Sequence, residues 1–174
     1  MKTEKLVIRP TTEADWLKIR DLRLKMINDT PIACAETEAD ALAHDETEWR
    51  RRGAQGSRES SITVAAIDEY GNWVGTMGSY IAEPSVGPLL VGVYVSPEFR
   101  GTDVGVTDTL LSAVEEWASN NGGRLTLHVH EDNVKAQRAY SKRGFEFTGH
   151  SVEYSLDPSS REVEMTKELI PAAA

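Results

Sequence analysis

Two segments of the chain carry most of the residues that could do chemistry. The first is Val91–Ala118, which begins with β-branched residues typical of a strand and ends with apolar residues at helical spacing. Between them lies the short loop Arg100–Gly105, which contains two glycines. A loop that leads directly into a helix exposes backbone N–H groups, and these can bind an anion. The sequence therefore predicts an anion site here, suited to the pyrophosphate of a cofactor.

The second segment, Leu127–Phe145, contains two histidines and a tyrosine. His128 and His130 alternate along a predicted strand, so their side chains lie on one face. Two histidines could begin a metal site, but the single cysteine is distant in sequence, and we expect no metal. Tyr140 lies in the next predicted helix, on the face with Ala136 and Ala139, where it could be a core residue. A free phenol has a pKa of about 10 and keeps its proton at pH 7.

The remaining elements alternate in a way that predicts an α+β domain with one mixed sheet. Three consecutive strands joined by turns predict an antiparallel meander. The strand–helix–strand step that follows predicts a parallel, right-handed crossover. The predicted elements are strand Leu6–Pro10, helix Trp16–Asp29, helix Ala35–Arg52, strands Ser61–Ile67, Trp73–Ile81 and Leu89–Val95, helix Val104–Asn120, strand Arg124–His130, a helix from Asp132 or Asn133 to Gly144, and strands Phe145–Tyr154 and Glu162–Leu169.

Length and composition indicate one globular domain over residues 1–174. No apolar run reaches 18 residues, and the first ten residues lack the apolar core of a signal peptide, so we expect a cytoplasmic protein without a membrane span. The net charge is −9, which disfavours nucleic acids and would attract cationic amines. The acidic residues of the predicted helix Ala35–Arg52 either form a solvated face or line a surface that attracts a cationic substrate.

The loop does not match two other phosphate-binding motifs. The P-loop sequence G-x-x-x-x-G-K-[ST] is absent, since Gly105 is followed by Val106. No G-x-G-x-x-G fingerprint of a dinucleotide-binding fold follows a predicted strand.

Both segments together resemble the GNAT superfamily of acetyl-CoA-dependent N-acetyltransferases. The family motif Arg/Gln-x-x-Gly-x-Gly/Ala between a strand and a helix is similar to Arg100–Gly105. The second family motif is similar to Leu127–Phe145, with Asn133, Tyr140 and Gly144-Phe145 at the typical spacing. The resemblance extends over roughly residues 5 to 169, because the order of strands also fits.

The resemblance implies a fold and a set of site residues. The fold is a mixed, mostly antiparallel sheet with about four flanking helices and a V-shaped splay between the central strand and its parallel neighbour. Acetyl-CoA would be the cosubstrate, without a metal, and its pantetheine arm would lie in the splay. The implied cofactor-binding residues are Val93, Tyr94 and Val95 along the arm, Arg100, Gly101, Thr102, Asp103, Val104, Gly105 and Val106 around the pyrophosphate, and Asn133, which would bond the arm or cap its helix.

The same resemblance implies N-acetyl transfer to a primary amine, most simply a small molecule, by direct transfer in a ternary complex. Tyr140 would be the general acid that protonates the leaving thiolate. Family members often dimerise, so a homodimer is an expected assembly. The alternatives are a CoA-binding or regulatory domain without turnover, and a transferase that acts on protein N-termini.

The sequence departs from the family pattern at the general base. Many members carry a glutamate on the central strand, but Leu89–Val95 contains no acidic residue. Glu83, His128, His130 and Glu131 are alternative candidates, and a water chain is another.

A second departure is Asp103, which stands where the family usually has glycine. Aspartate tolerates positive φ better than most residues, but its charge would repel a pyrophosphate by roughly 1 to 4 kcal/mol per charge pair at about 4 Å. Replacing Asp103 with glycine should therefore lower the KM for acetyl-CoA in a steady-state assay. An unchanged or higher KM would contradict this prediction.

Overall fold

The computed structural model describes residues 5–101 and 105–170. Within these ranges the chain forms five α-helices on the two faces of one sheet. None of these helices is long and apolar enough to cross a membrane. The helices are α1 (Trp16–Asp29), α2 (Glu38–Ala43), α3 (Glu46–Gly53), α4 (Val106–Ser119) and α5 (Val134–Lys142).

The sheet contains eight strands in these same ranges, in the order β1-β3-β4-β5-β6-β8-β7, with the short β2 paired to β3. Neighbouring strands are antiparallel except for β5 and β6, which are parallel. This arrangement confirms the meander and the parallel step predicted from the sequence. The strands are β1 (Val7–Pro10), β2 (Ser57–Arg58), β3 (Ser61–Ile67), β4 (Trp73–Tyr80), β5 (Leu89–Val95), β6 (Arg124–His130), β7 (Glu146–Tyr154) and β8 (Asp157–Glu168).

Two hydrophobic clusters cover opposite faces of the sheet. On one face the apolar side of α4 packs against strands β3 to β6, and its Leu110 and Val114 are fully buried. On the other face Leu22 and Met26 of α1 pack with Trp49 of α3 against Tyr94 of β5. The strand β5 therefore lies between both clusters, which fixes the position of the loop that follows it.

The helix predicted over Ala35–Arg52 is wrong, because the structure contains two helices there. The chain turns at His44, whose ψ of 140° is extended rather than helical. Asp45 then begins α3 as its N-cap, with its carboxylate accepting a hydrogen bond from the N–H of Glu48 at 3.0 Å. An aspartate that competes for backbone N–H groups in this way favours a helix start over a helix interior.

The last hairpin is longer than predicted, since β8 begins at Asp157 rather than at Glu162. Pro158 lies within this added segment. The partner β6 reaches only to Glu162 on β8, so the proline's missing N–H costs no hydrogen bond on that side. A proline can therefore lie in this part of β8, which among the described residues has no strand partner on the β6 side. The sequence pattern indicated a loop here.

A buried carboxylate ties the three helices of one face together. Glu36 precedes α2, and its side chain is 9% exposed. It accepts hydrogen bonds from Arg23 of α1 at 2.9 Å and from two nitrogens of Arg52 of α3 at 2.9 and 3.0 Å. His44 lies 2.7 Å from the same carboxylate. Burial alone would raise the pKa of Glu36, but the two arginines overcome that effect and lower the pKa to about 2.

Replacing Glu36 with glutamine should lower the free energy of unfolding by about 3 kcal/mol at pH 7, because two partly buried arginines lose their buried carboxylate. Since the folded-state pKa of Glu36 lies below its unfolded value, its contribution is complete above about pH 5 and is lost as the pH falls towards 2. Urea unfolding across this pH range would measure both effects, and E36Q should depend less on pH.

The control is Glu46→Gln, because Glu46 pairs with Arg50 on the surface of α3 with 53% of its side chain exposed. An exposed pair of this kind contributes well under about 1 kcal/mol. Equal losses of stability in E36Q and E46Q would contradict the role assigned to the buried carboxylate.

Candidate functional site

The parallel strands β5 and β6 form a fork. Only Leu89 and Thr126 are paired between them, and Thr126 donates its N–H to the carbonyl of Pro88 at 3.1 Å. Beyond this pair the strands separate towards their carboxyl ends. The fork confirms the V-shaped splay expected from the sequence, and it leaves the facing backbone groups of β5 without a strand partner.

A β-bulge lies in β5 where the fork opens. On the β4 side, Gly78 pairs with Val91 and Thr76 pairs with Tyr94, so β5 contains one additional residue over this interval. Gly92 has a φ of +61°, a left-handed conformation that favours glycine. A bulge with such a glycine bends the strand and re-aims its backbone. The bend accounts for the divergence of β5 from β6.

The alternation of hydrogen bonds in β5 places two predicted residues at the gap. Ser96 donates its N–H to Val74 of β4 at 2.8 Å. In an antiparallel pair every second residue makes such bonds, so Val93 and Val95 direct their backbone groups away from β4 and towards the fork. Tyr94 has the opposite orientation, and its side chain is buried against the α1 face.

Arg100 spans two parts of the site. Its Nε donates to the carbonyl of Val95 at 2.7 Å, and its guanidinium forms an ion pair with Asp29 at the end of α1. The same guanidinium lies 5.6 Å from the ring centroid of Tyr94. These contacts hold Arg100 at the open end of the fork, while a contact with phosphate stays a prediction.

The start of α4 offers free backbone donors. Gly101 and Gly105 have φ values of +111° and +69°, and Gly105 is the N-cap of α4. Glycine has no side chain to cap the helix, and among the described residues no side chain caps the N–H groups of the first turn, so these groups could bind an anion. Asp108 in this turn is paired with Arg143 at 2.8 Å, which offsets its charge. The predicted site residues Thr102, Asp103 and Val104 lie outside the described residues.

These two features fit the group that the sequence implies. Uncapped N–H groups at the start of a 14-residue helix suit a pyrophosphate, and the unpaired backbone of β5 suits an extended arm that contains amides. Val106, the first residue of α4, is fully buried, so only its backbone could contact a ligand.

Asn133 is the N-cap of α5. Its side-chain oxygen accepts a hydrogen bond from the N–H of Ala136 at 3.3 Å. The sequence left Asp132 and Asn133 open for this position, and the structure assigns it to Asn133. A contact between Asn133 and a bound arm stays a prediction.

Tyr140 lies on α5 with partial exposure and packs against the α4-side cluster. Its ring meets that of Phe145 edge-on at 5.6 Å. Burial of the phenol raises the pKa of Tyr140 to about 12, with a smaller opposing effect from Arg143. Among the described residues, no group hydrogen-bonds to its hydroxyl. Arg143 forms an ion pair with Asp108 and so joins the end of α5 to the start of α4. Tyr140 lies one helical turn before Arg143.

The two histidines of β6 have different surroundings on the sheet face opposite α4. His128 Nε2 lies 3.2 Å from Glu164 of β8. His130 is buried, and its Nδ1 accepts a hydrogen bond from the N–H of Asp132 at 3.1 Å. The ring of His130 meets that of Tyr154 edge-on at 4.8 Å. In the described part of the chain, no group of three or more potential metal ligands is present.

Sequence reasoning did not identify Glu164 and Tyr154 as part of this region. Tyr154 donates its hydroxyl hydrogen to the carbonyl of Cys34 at 2.6 Å, which joins β7 to the segment between α1 and α2. Glu164 meets His128 only through the register of β6 and β8. The sequence alone does not show that this glutamate contacts a histidine, because the contact depends on the strand register.

A sequence model described as "Acetyltransferase (GNAT) family" matches residues 24–145 of the chain. A search of curated proteins by sequence finds no significant match.

Solved structures with the same fold are numerous. The PaiA N-acetyltransferase from Thermoplasma acidophilum, solved in complex with coenzyme A, has a TM-score of 0.72 at 17% identity, over 94% of this chain and 99% of its own. A ribosomal-protein-alanine N-acetyltransferase from Brucella melitensis has a TM-score of 0.75 at 23% identity, over 94% and 99%. A structure from Acinetobacter baylyi, titled a putative acetyltransferase, has a TM-score of 0.76 at 16% identity, over 97% and 94%. At these identities the likeness concerns the fold.

Proposed function

The chain belongs to the GNAT acetyltransferase family, and from this premise we propose that it transfers an acetyl group from acetyl-CoA to the nitrogen of a primary amine. The transfer is direct, within a ternary complex of protein, acetyl-CoA and amine. The preferred acceptor is a small molecule. We also propose, from the sequence, that the protein acts in the cytoplasm and can form a homodimer.

The fork between β5 and β6 is the observation that carries this proposal. It opens directly after the pair Leu89–Thr126 and lies beside the uncapped start of α4. Backbone groups of Val93 and Val95 would bind the pantetheine amides, and the N–H groups from Gly105 onwards would bind the pyrophosphate. A neighbour of the same fold, the PaiA N-acetyltransferase, was solved in complex with coenzyme A, which supports this assignment.

Acetyl-CoA supplies a thioester whose carbonyl carbon accepts the amine nitrogen. The chain must orient this carbonyl, stabilise the oxygen that gains negative charge and protonate the leaving sulfur. We propose that a backbone N–H at the bulge around Gly92 polarises the carbonyl, since a fixed amide donor costs no reorganisation during the reaction. Tyr140 donates the proton to sulfur, because a phenol with a pKa of about 12 is fully protonated at neutral pH.

The acceptor class is proposed from charge and access. A net charge of −9 favours cationic amines over anionic acceptors. The ribosomal-protein-alanine N-acetyltransferase from Brucella shares the fold, so a peptide N-terminus is the second acceptor to test.

The direct experiment measures release of the CoA thiol with a panel of small amines and with peptides that carry a free N-terminus. Turnover with a small amine supports the proposal, and turnover with peptides alone selects the second acceptor. A regulatory domain is the alternative, favoured by the absence of an acidic residue in Leu89–Val95. It would bind acetyl-CoA in calorimetry without release of thiol from any acceptor.

Replacing Gly92 with alanine should weaken acetyl-CoA binding at least tenfold by calorimetry, because the bulge cannot keep its left-handed glycine without strain. Gly71→Ala is the matched control. Gly71 has a similar φ of +82° in the turn between β3 and β4, and a Cβ would meet no neighbour at either position. Each variant should lose roughly 1 to 2 kcal/mol of stability. Equal affinities for acetyl-CoA in the two variants would contradict the role of the bulge.

Replacing Tyr140 with phenylalanine should lower kcat by about 100-fold or more while the KM for acetyl-CoA changes little, because only the proton donor is lost. Steady-state kinetics of thiol release would measure both constants. Tyr70→Phe is the control, since Tyr70 is 77% exposed in the turn between β3 and β4. A kcat within threefold of the wild-type value would assign Tyr140 to the core alone.

A further inference from the structure

One face of β6 carries a row of polar cross-strand pairs. Leu125, Leu127 and Val129 point into the α4-side core, so the alternate residues of β6 point to the opposite face. The register with β8 places each of them beside a polar partner on that face. The pairs are Thr126 with Thr166, His128 with Glu164, and His130 with Glu162.

Among these positions, His128 is the first one after the closed end of the fork. Thr126 is the last residue of β6 that pairs with β5, and His128 follows it on the same face. At this point β5 has left β6, so the imidazole borders the gap where the reacting groups are proposed to meet. About 29% of its side chain is exposed, which leaves it accessible to an acceptor.

The hydrogen bonds around His128 fix which ring nitrogen carries the proton. Its Nε2 lies 3.2 Å from one oxygen of Glu164, and the other oxygen of Glu164 accepts from the hydroxyl of Thr148 at 3.0 Å. A carboxylate only accepts hydrogen bonds, so the neutral imidazole donates through Nε2–H. The lone pair then lies on Nδ1, and in the described part of the chain no group hydrogen-bonds to that atom.

The other candidate bases have less suitable contacts. The Nδ1 lone pair of His130 already accepts from the N–H of Asp132, so its Nε2 carries the proton and cannot accept another. Glu131 accepts a hydrogen bond from the N–H of Arg161 at 3.0 Å, away from β5. Glu83 lies in the turn that precedes the closed end of the fork.

We infer that His128 is the general base for the acceptor amine and that Glu164, held by Thr148, is its positioning residue. This inference rests on the proposed acetyl transfer. The acceptor nitrogen reacts as the neutral amine and loses one proton. It forms a bond to the acetyl carbon, the carbon–sulfur bond breaks, and the sulfur keeps its electron pair. Nδ1 of His128 takes the proton that the nitrogen loses, and Tyr140 supplies the proton that the thiolate gains. The resulting imidazolium lies against the Glu164 carboxylate.

Several titratable groups face this imidazole and enter its pH dependence. They are Glu164 and Glu162 on β8, His130 on β6, and Glu146 and His150 on β7. Glu146 pairs with Thr166 of β8, and His150 donates its backbone N–H to Thr148 Oγ1 at 3.1 Å. Carboxylates titrate well below the range in which histidines do. A decrease in kcat on the acidic side of the pH profile (the acidic limb) between about pH 5 and 8 therefore reports a histidine. Variants must therefore separate His128 from His130.

The test compares kcat against pH for wild type, His128→Gln and Glu164→Gln. H128Q should lower kcat at pH 7.5 by 100-fold or more, with less than a threefold change in the KM for acetyl-CoA, and should abolish the acidic limb. E164Q should keep a limb but shift it to a different pH, because the imidazolium loses its carboxylate partner. A limb unchanged in both variants, with kcat within threefold of wild type, would overturn the inference.

The matched control is His150→Gln, because His150 is an exposed histidine on the neighbouring β7. H150Q should keep both the wild-type kcat and the wild-type limb. Thermal unfolding of all variants identifies any loss of activity that comes from misfolding. A loss of kcat in H128Q that tracks a loss of folded protein would count as structural and would overturn the assignment.

A second measurement does not depend on turnover. Long-range ¹H–¹⁵N NMR spectra of the wild-type protein, assigned with H128Q, should show protonated Nε2 and unprotonated Nδ1 in the neutral ring of His128. The opposite tautomer would overturn the inference. Absence of turnover with every amine would instead count against the proposed function, and the tautomer would still decide the geometry of the His128–Glu164 pair.

Discussion

The structure depends on a parallel pair of strands, β5 and β6, that are paired at one position only. β5 and β6 are held together at Leu89 and Thr126 and then separate, although both continue as strands with other partners. A sheet interrupted in this way exposes backbone donors and acceptors that protein normally satisfies. The separation is stable because β4 and β8 hold the outer sides of the two strands. The unpaired backbone groups on the inner sides cost free energy. An extended ligand with amides would offset this cost by forming hydrogen bonds with them.

In the proposed reaction, the fork also separates two proton transfers. On one side of the sheet lie the start of α4 and the phenol of Tyr140, whose pKa of about 12 keeps it protonated at neutral pH. On the other side, β6 and β8 supply an imidazole and a carboxylate. A free phenol and a free imidazole already differ in pKa, at about 10 and about 6.5, so a tyrosine can give a proton and a histidine can take one near neutral pH. The sheet keeps the two groups apart, since one lies in an apolar cluster and the other on a polar face.

The sequence predicted the features that have local causes. The order of the strands, the helix spacing in α1 and α4 and the cap at Asn133 follow from residues close together in the chain. The break at His44 was missed because Asp45 can serve either as a helix residue or as a cap, and only packing decides between them. The pairing of His128 with Glu164 was missed for another reason, since 36 residues separate the two and strand register alone brings them together.

The proposed anion site in a protein with a net charge of −9 requires a local explanation. Many of the acidic side chains are already paired with cations, including Glu36 with Arg52, Glu115 with Lys167 and Asp108 with Arg143. Among the described residues, the field at the start of α4 is therefore set by its own N–H groups and by the nearest ion pair. More distant charges are screened over about 8 Å at physiological salt. The overall charge can thus favour a cationic acceptor without opposing an anionic cosubstrate, because in the proposed complex the two contact groups on different elements.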